Sequence, residues 1–285
     1  RNLWRIHFLV VSLRLRGVKI WADFDDLIFD TSFAEFSPGV VNQINTLGKT
    51  IKTYQSHANT LSLFDGFTVS TKPLKAHLLN LQINKPIKVL PNAPHFSWEH
   101  NLAAFRTTKL DFSAPVLTYL PGTRSHDKDF KLVADQLTTF LRSNKKVSLE
   151  ITVPLSFQLA EDVARQVRHY DKLNFSKFHE RFESTWLNLA PLEDTPFNRC
   201  KSALKVLEAG FWGKPTVCSV IPDVLRYTNA GALCLETPED LCTKLNLLLK
   251  PDDYLEHAQN LQSEVLKVSN IAQVTASFLE LIESN

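Results

Sequence analysis

Strand-like and helix-like stretches alternate along almost the whole chain with short polar connections, and this alternation admits few folds. Parallel strands cannot be joined by tight turns, so helices must carry the crossovers, and an α/β protein with mostly parallel sheets is expected. Residues 3–16 read as a helix with Gly17 placed for its C-cap, 18–24 as a strand and 49–63 as a helix. Residues 66–70 read as a strand, and Thr71 is placed to cap a helix through 81 with Pro73 in its first turn. A short strand at 88–90 closes on Pro91-Asn92-Ala93-Pro94. From 95 to 114 the periodicity fades, and it restarts at 116–120, so domains are expected over 1–108 and 109–269. The second half reads as helix 127–142, strand 147–153, helix 160–166, strand 186–189, helix 200–209, strand 216–220 and helices 239–249 and 253–268. A last amphipathic helix, within 270–285, is expected to pack back on the first domain.

A length of 285 residues suits two ordinary domains, and 44% hydrophobic against 22% charged residues suits a globular chain. The net charge of +2 gives no general attraction for nucleic acid, so any anion site is local. The apolar run at 7–13 is far shorter than the ~20 residues of a spanning helix and has no small-residue cleavage site after it. Arg5, Arg14 and Arg16 flank that run and suit an amphipathic contact with a membrane surface. Cys200, Cys218, Cys234 and Cys242 have neither CxxC spacing nor a histidine pair nearby, which argues against a zinc site and for a reducing, cytoplasmic setting. The chain contains no methionine, not even at position 1, which is expected of an N-terminally shortened piece or of a sequence that has lost modified methionines.

Three stretches can carry chemistry. If residues 199–209 form a helix, Lys201, Lys205 and Glu208 share an arc of about 60°, opposite the apolar Ala203, Leu204, Val206 and Leu207. Two ammonium groups beside free helix amides suit a diphosphate, and a carboxylate one turn on suits the two hydroxyls of a ribose. The same spacing also suits a solvated face with an i,i+3 or i,i+4 ion pair. At 119–130, YLPGTRSHDKDF, a strand meets a turn and a helix start. Ser125 is placed to cap, Gly122 lets a ligand approach the backbone, and His126 is placed for a phosphate, a sugar or simple packing. At 21–30, WADFDDLIFD, the carboxylates including Asp25 and Asp26 suit a divalent metal, a polar turn or sugar hydroxyls, and no other metal ligand can be nominated.

Taken together these stretches resemble a known family. PLEDTPFNRCKSALKVLEAGFWGKPTVCS at 191–219 resembles the donor-binding segment of retaining glycosyltransferases of family four, of GT-B architecture, and especially of bacterial enzymes that assemble capsule, O-antigen or other surface polysaccharides. YLPGTRSHDKDF is similar to the first strand and loop of their C-terminal domain, and WADFDDLIF to an acidic motif of their N-terminal one. FTVSTKPLKAHL and KVLPNAP match the same subgroup in order, so the resemblance covers most of residues 18–250. It implies two Rossmann-like domains with parallel sheets facing a cleft, an acceptor side at 1–108 and a nucleotide-sugar side at 109–269. It implies that Glu208 binds the ribose, that Lys201 and Lys205 lie near the diphosphate, and that Gly122 and Thr123 close over the phosphates. Ser125, His126, Glu193, Asn198 and Ser202 join them as donor-binding candidates, with Asp25 and Asp26 on the acceptor side. No metal or other cofactor is implied, and the expected partners are a nucleotide sugar and a glycan or lipid-linked acceptor, with peripheral contact at the inner face of the cell membrane.

Two departures stand out. Many members carry a second glutamate eight positions before the ribose-binding one, where this chain has Cys200. The opening strand and glycine-containing loop of the N-terminal domain are missing, so that domain is expected to be incomplete. A sugar-nucleotide epimerase of the same shape and a non-catalytic nucleotide-sugar-binding or scaffold subunit are the alternatives.

Overall fold

The computed structural model describes residues 3–106, 111–153, 155–227 and 231–283. In the first lobe the order is α1 (Leu3–Arg14), β1 (Trp21–Phe24), α2 (Pro38–Val41), α3 (Leu47–Thr60), β2 (Gly66–Val69), α4 (Lys72–Asn80), β3 (Ile87–Val89) and α5 (Phe96–Arg106). α1 stops short of Gly17, whose φ of +75° no side-chain-bearing residue adopts cheaply. The three strands are parallel in the order β1-β2-β3. The Thr46 and Thr71 hydroxyls accept the Lys49 and Leu74 amides at 3.3 and 3.4 Å and start α3 and α4. Tyr54, Leu74 and Leu78 from these helices pack on Phe24, Phe67 and Val69, the inward residues of the pleat.

The second lobe runs β4 (Val116–Tyr119), α6 (Asp127–Ser143), β5 (Ser148–Ile151), β6 (Val167–His169), β7 (Leu187–Ala190), α7 (Pro196–Arg199), α8 (Leu204–Phe211), β8 (Thr216–Ser219) and β9 (Leu233–Leu235), then α9 (Asp240–Leu248), α10 (Pro251–Val268) and α11 (Ile271–Glu283). Its six parallel strands are ordered β6-β5-β4-β7-β8-β9. The chain therefore winds outward in both directions from the β4/β7 pair, and the crevice outside their carboxyl ends is the topological switch point where such sheets bind ligands. One face packs Leu117, Leu149 and Leu187 against Val133 and Leu137 of α6 and Leu241 and Leu245 of α9. The other packs under Leu207 and Phe211 of α8 and Leu261 and Val265 of α10.

The two lobes exchange side chains. Trp98 of α5 sits in the second lobe's core, 5.8 and 5.7 Å from the Phe211 and Trp212 rings. In return, Phe197 and Cys200 pack into the first lobe's core, and the Thr71 hydroxyl donates to the Cys200 carbonyl at 2.8 Å. α11 returns to the first lobe, where Phe278, Leu281 and Ile282 line a recess with Trp21, Asp23 and Thr68 on the outer sheet face. The boundary expected at 108/109 lies outside the described residues. Within 95–114, where no element is expected, α5 forms, and Trp98 and Leu102 of it join a hydrophobic cluster of the second lobe. Of the stretch 270–283, α11 is helical, and α10 and α11 break at Ser269 and Asn270; together 251–283 have the length and apolar composition of a membrane span, but α10 buries Leu261 and Val265 against α8.

Candidate functional site

A recess of about 280 Å³ opens at the switch point, at the carboxyl ends of β4, β7 and β8. Gly122 and His126 of the β4–α6 loop form one wall, and Lys201, Ser202 and Lys205 a second. Asp25 and Asp26 reach in from the first lobe. The floor is apolar, with Leu120, Leu189, Val206 and Ile221 among its residues. At Gly122 an added Cβ would meet nothing within 4 Å, so this stretch of backbone is open to a ligand.

The β4–α6 loop is held from below by Asp129, which is 3% exposed. Its carboxylate accepts from His126 Nδ1 at 2.8 Å, from the Glu193 amide at 2.8 Å and from Asn198 Nδ2 at 3.1 Å. One buried carboxylate thus ties the loop after β4 to the loop after β7. The Tyr119 hydroxyl donates to the His126 carbonyl at 3.0 Å, and burial beside Asp129 and Asp127 pushes its phenol well above the ordinary range.

The second wall differs from the expected continuous helix over 199–209. The chain forms one turn, α7, capped by Thr195, and α8 begins only at Leu204. Lys201 therefore does not occupy a first helical turn or share a helix face with Lys205. The break falls where the chain passes from one lobe to the other: Phe197 and Cys200 are drawn into the first lobe's core, Val206 and Leu207 into the second's. Asn92 of the first lobe pins the break by donating to Ser202 Oγ at 2.9 Å, and Asp223 accepts the Ala203 amide at 2.8 Å. Lys201 still faces the recess, 3.7 Å from Asp26. Lys205 pairs with Glu208 at 3.1 Å and lies 5.6 Å from the Phe178 ring centroid. Glu208 has an 11% exposed side chain and sits one turn behind the wall.

Gly122, His126, Lys201, Ser202, Lys205, Asp25 and Asp26 are thus brought together. Thr123, Ser125, Glu193 and Asn198 are not. Thr123 and Ser125 share a hydroxyl–hydroxyl bond outside the recess. Ser125 is not the helix cap: α6 begins at Asp127 after His126, which makes no side-chain cap. The cap comes from the other lobe, where Asn42 Oδ1 accepts the Lys128 amide at 3.0 Å while its Nδ2 donates to the Ser125 carbonyl at 2.7 Å. Glu193, its carboxyl raised chiefly by burial, lines a separate interlobe recess with Asn42, Lys128 and Lys131. Asn198 is 4% exposed and spends its amide on Asp129 and the Glu193 carbonyl, which makes it a brace behind the site.

No family model matches the sequence, and no curated protein matches it. Solved structures do. S. aureus TarM, in complex with Fondaparinux, alpha-GlcNAc-glycerol and UDP, superposes with a TM-score of 0.65 at 13% identity, over 92% of this chain and 50% of that one. HepE of Anabaena, in complex with UDP and glucose, gives 0.66 at 11% identity over 100% and 76%. Sucrose-phosphate synthase of Thermosynechococcus elongatus gives 0.62 at 12% over 96% and 70%. The chain has the GT-B fold. It spans about half the length of TarM.

Within this GT-B chain, Cys200 shows why its position carries no glutamate. The side chain is 2% exposed among apolar groups, and burial pushes its thiol up to about 12. A carboxylate there would lose its hydration with no partner to replace it. Asp25 accepts from Asn92 at 3.2 Å within the first lobe, while Asp26 faces Lys201 of the second, so Asp26 bridges the lobes. Among the described residues no group of three or more His, Cys, Asp or Glu side chains converges as a metal-binding set. Two residues of the site escape sequence reasoning. Asp129 had a signal, its i,i+3 spacing from His126; Asn42 had none, because its role exists only across the interface.

Proposed function

We propose that the chain transfers a sugar from a nucleoside diphosphate donor to a glycan or lipid-linked acceptor. The observation that supports this is the convergence of Gly122, His126, Lys201 and Lys205 on one recess at the switch point, with two carboxylates of the other lobe opposite. Uridine diphosphate is the first donor nucleotide to test, because the TarM and HepE complexes hold UDP. In this reading Lys201 and Lys205 neutralise the diphosphate as it leaves, so no metal is needed. Lys205 turns from Glu208 to the phosphate, and Glu208 then accepts the ribose hydroxyls. Asp25 and Asp26 meet hydroxyls of the acceptor. The transfer retains the configuration at the anomeric carbon and serves surface-polysaccharide assembly at the inner face of the cell membrane; both follow from the resemblance of 191–219 and 119–130 to that subgroup. The exposed Ile6, Phe8, Leu9 and Leu15 of the first segment, beside Arg5 and Arg16, support contact with an anionic membrane surface.

A thermal-shift panel of nucleoside diphosphates and nucleotide sugars, followed by assay of nucleoside diphosphate release, tests the reading. A ligand at 100 times its dissociation constant stabilises the fold by about 2.7 kcal/mol. Lys205→Ala and Glu208→Ala are expected to abolish release. No shift with any member of the panel, or full release by both variants, overturns it.

A further inference from the structure

We infer that Asp129 is a positioning residue that makes His126 take up a proton when a diphosphate enters the recess. The inference deepens the proposed function and rests on its reading of the recess as a nucleoside diphosphate site. An ionised carboxylate only accepts hydrogen bonds, so the 2.8 Å contact fixes the His126 proton on Nδ1. Nε2 is then the ring nitrogen left for a ligand, on a side chain that is 24% exposed and lines the recess. A diphosphate also only accepts. The two acceptors cannot both be satisfied by a neutral imidazole, which carries one N–H, and can both be satisfied by an imidazolium, which carries two. The added proton comes from solvent, goes to Nε2 and is shared with a phosphate oxygen; no other bond changes. The carboxylate on one side and the diphosphate on the other both favour the charged ring.

The surroundings fit this role. Asp129 also accepts from the Glu193 amide and Asn198, so its carboxylate is held still by both walls. The charged and titratable groups facing the ring are Asp129 on α6 and Tyr119 on β4, with Glu193 of the loop after β7 beside Asp129, and across the recess Lys201, Lys205 and the first lobe's Asp25 and Asp26; Arg124, Asp127 and Lys128 are its neighbours along the chain. Glu193, raised chiefly by burial, and the charged groups lining the recess are competing sources of a proton signal, and a His126 variant separates them from the ring.

Calorimetric titration of uridine diphosphate at pH 8 in buffers of different ionisation enthalpy counts the protons taken up; the second phosphate ionisation, near pH 6, is then complete in the ligand. The wild type is expected to take up protons on binding, and His126→Gln and Asp129→Asn none. Each variant is expected to bind about tenfold more weakly, and the double variant no more weakly than either single one, because the two residues act as one unit. No uptake by the wild type, full uptake by Asp129→Asn, or additive losses in the double variant overturns the inference. If Asp129→Asn does not fold, ring nitrogen-15 spectra of the ligand-free wild type decide: a proton on Nδ1 of His126 supports the claim and a proton on Nε2 sinks it. If uridine diphosphate fails to bind the wild type, the proposed function falls and the same spectra still judge the positioning role.

Discussion

Gly210 is where the second lobe's helix packing sets the position of the site. It lies on α8 two residues beyond Glu208, and a Cβ added there would stand 2.8 Å from both Leu261 Cγ and Val265 Cγ2 of α10. Carbon contacts relax at 3.5–4.0 Å, so Gly210→Ala must move α8 away from α10 by about 1 Å. Leu261 Cγ, a branch point, and Val265 Cγ2, a methyl, belong to fully buried side chains and have little room to retreat. Overpacking of this kind costs about 1–3 kcal/mol, and the better helix propensity of alanine returns about 1, leaving a net loss of about 0–2 kcal/mol. The loss in function is expected to be larger than the loss in stability, because Lys205 and Glu208 ride on the same helix, and a displacement of about 1 Å can cost about a hundredfold in rate. Denaturant unfolding gives the first quantity and nucleoside diphosphate release the second. A Gly210→Ala protein more stable than the wild type with unchanged release would refute the claim that α10 sets where α8 stands.

Three further outcomes follow from the geometry. Asn42→Ala removes the interlobe cap on α6, costing about 1–2 kcal/mol and speeding amide exchange at 125–128; unchanged protection there would remove the latch from the account. Lys214 is 7% exposed, and burial, only partly opposed by Glu183, lowers its amine to about 8, so the folded state binds fewer protons than the unfolded chain between pH 8 and about 10.5. The stability of the wild type relative to Lys214→Met is therefore expected to rise by about 3 kcal/mol as pH climbs through that window and to be lost as it falls, and a flat difference contradicts the burial argument. Cys200→Glu places a carboxylate in the first lobe's core and is expected to cost about 3 kcal/mol or more, read by urea midpoint; a neutral substitution would mean that the position can open to the recess.

Local pattern carried the sequence reading wherever an element answers to its own residues. α6 spans 127–143 because Phe130, Val133, Leu137 and Leu141 form a helical stripe visible in the chain, and Thr71 with Pro73 marks the start of α4 without help from elsewhere. β6 and β9 are three residues each, too short for alternation to register; β3 is as short, and Pro91 to Pro94 mark its end. The break between α7 and α8 was illegible for a different reason. It is held by Thr71 and Asn92, more than a hundred positions away, and local propensity over 199–209 favours an unbroken helix. The same holds for the site: Lys201 and Lys205 reach one recess by separate routes, one on a loop and one on a helix, and only the second route follows from spacing.

The most direct test is a crystal structure of the protein with uridine diphosphate. The account predicts the diphosphate between the Gly122 turn and the amines of Lys201 and Lys205, with a phosphate oxygen within hydrogen-bond distance of at least one of the two and of His126 Nε2. Nucleotide density elsewhere on the molecule, with this recess filled only by solvent, would contradict it.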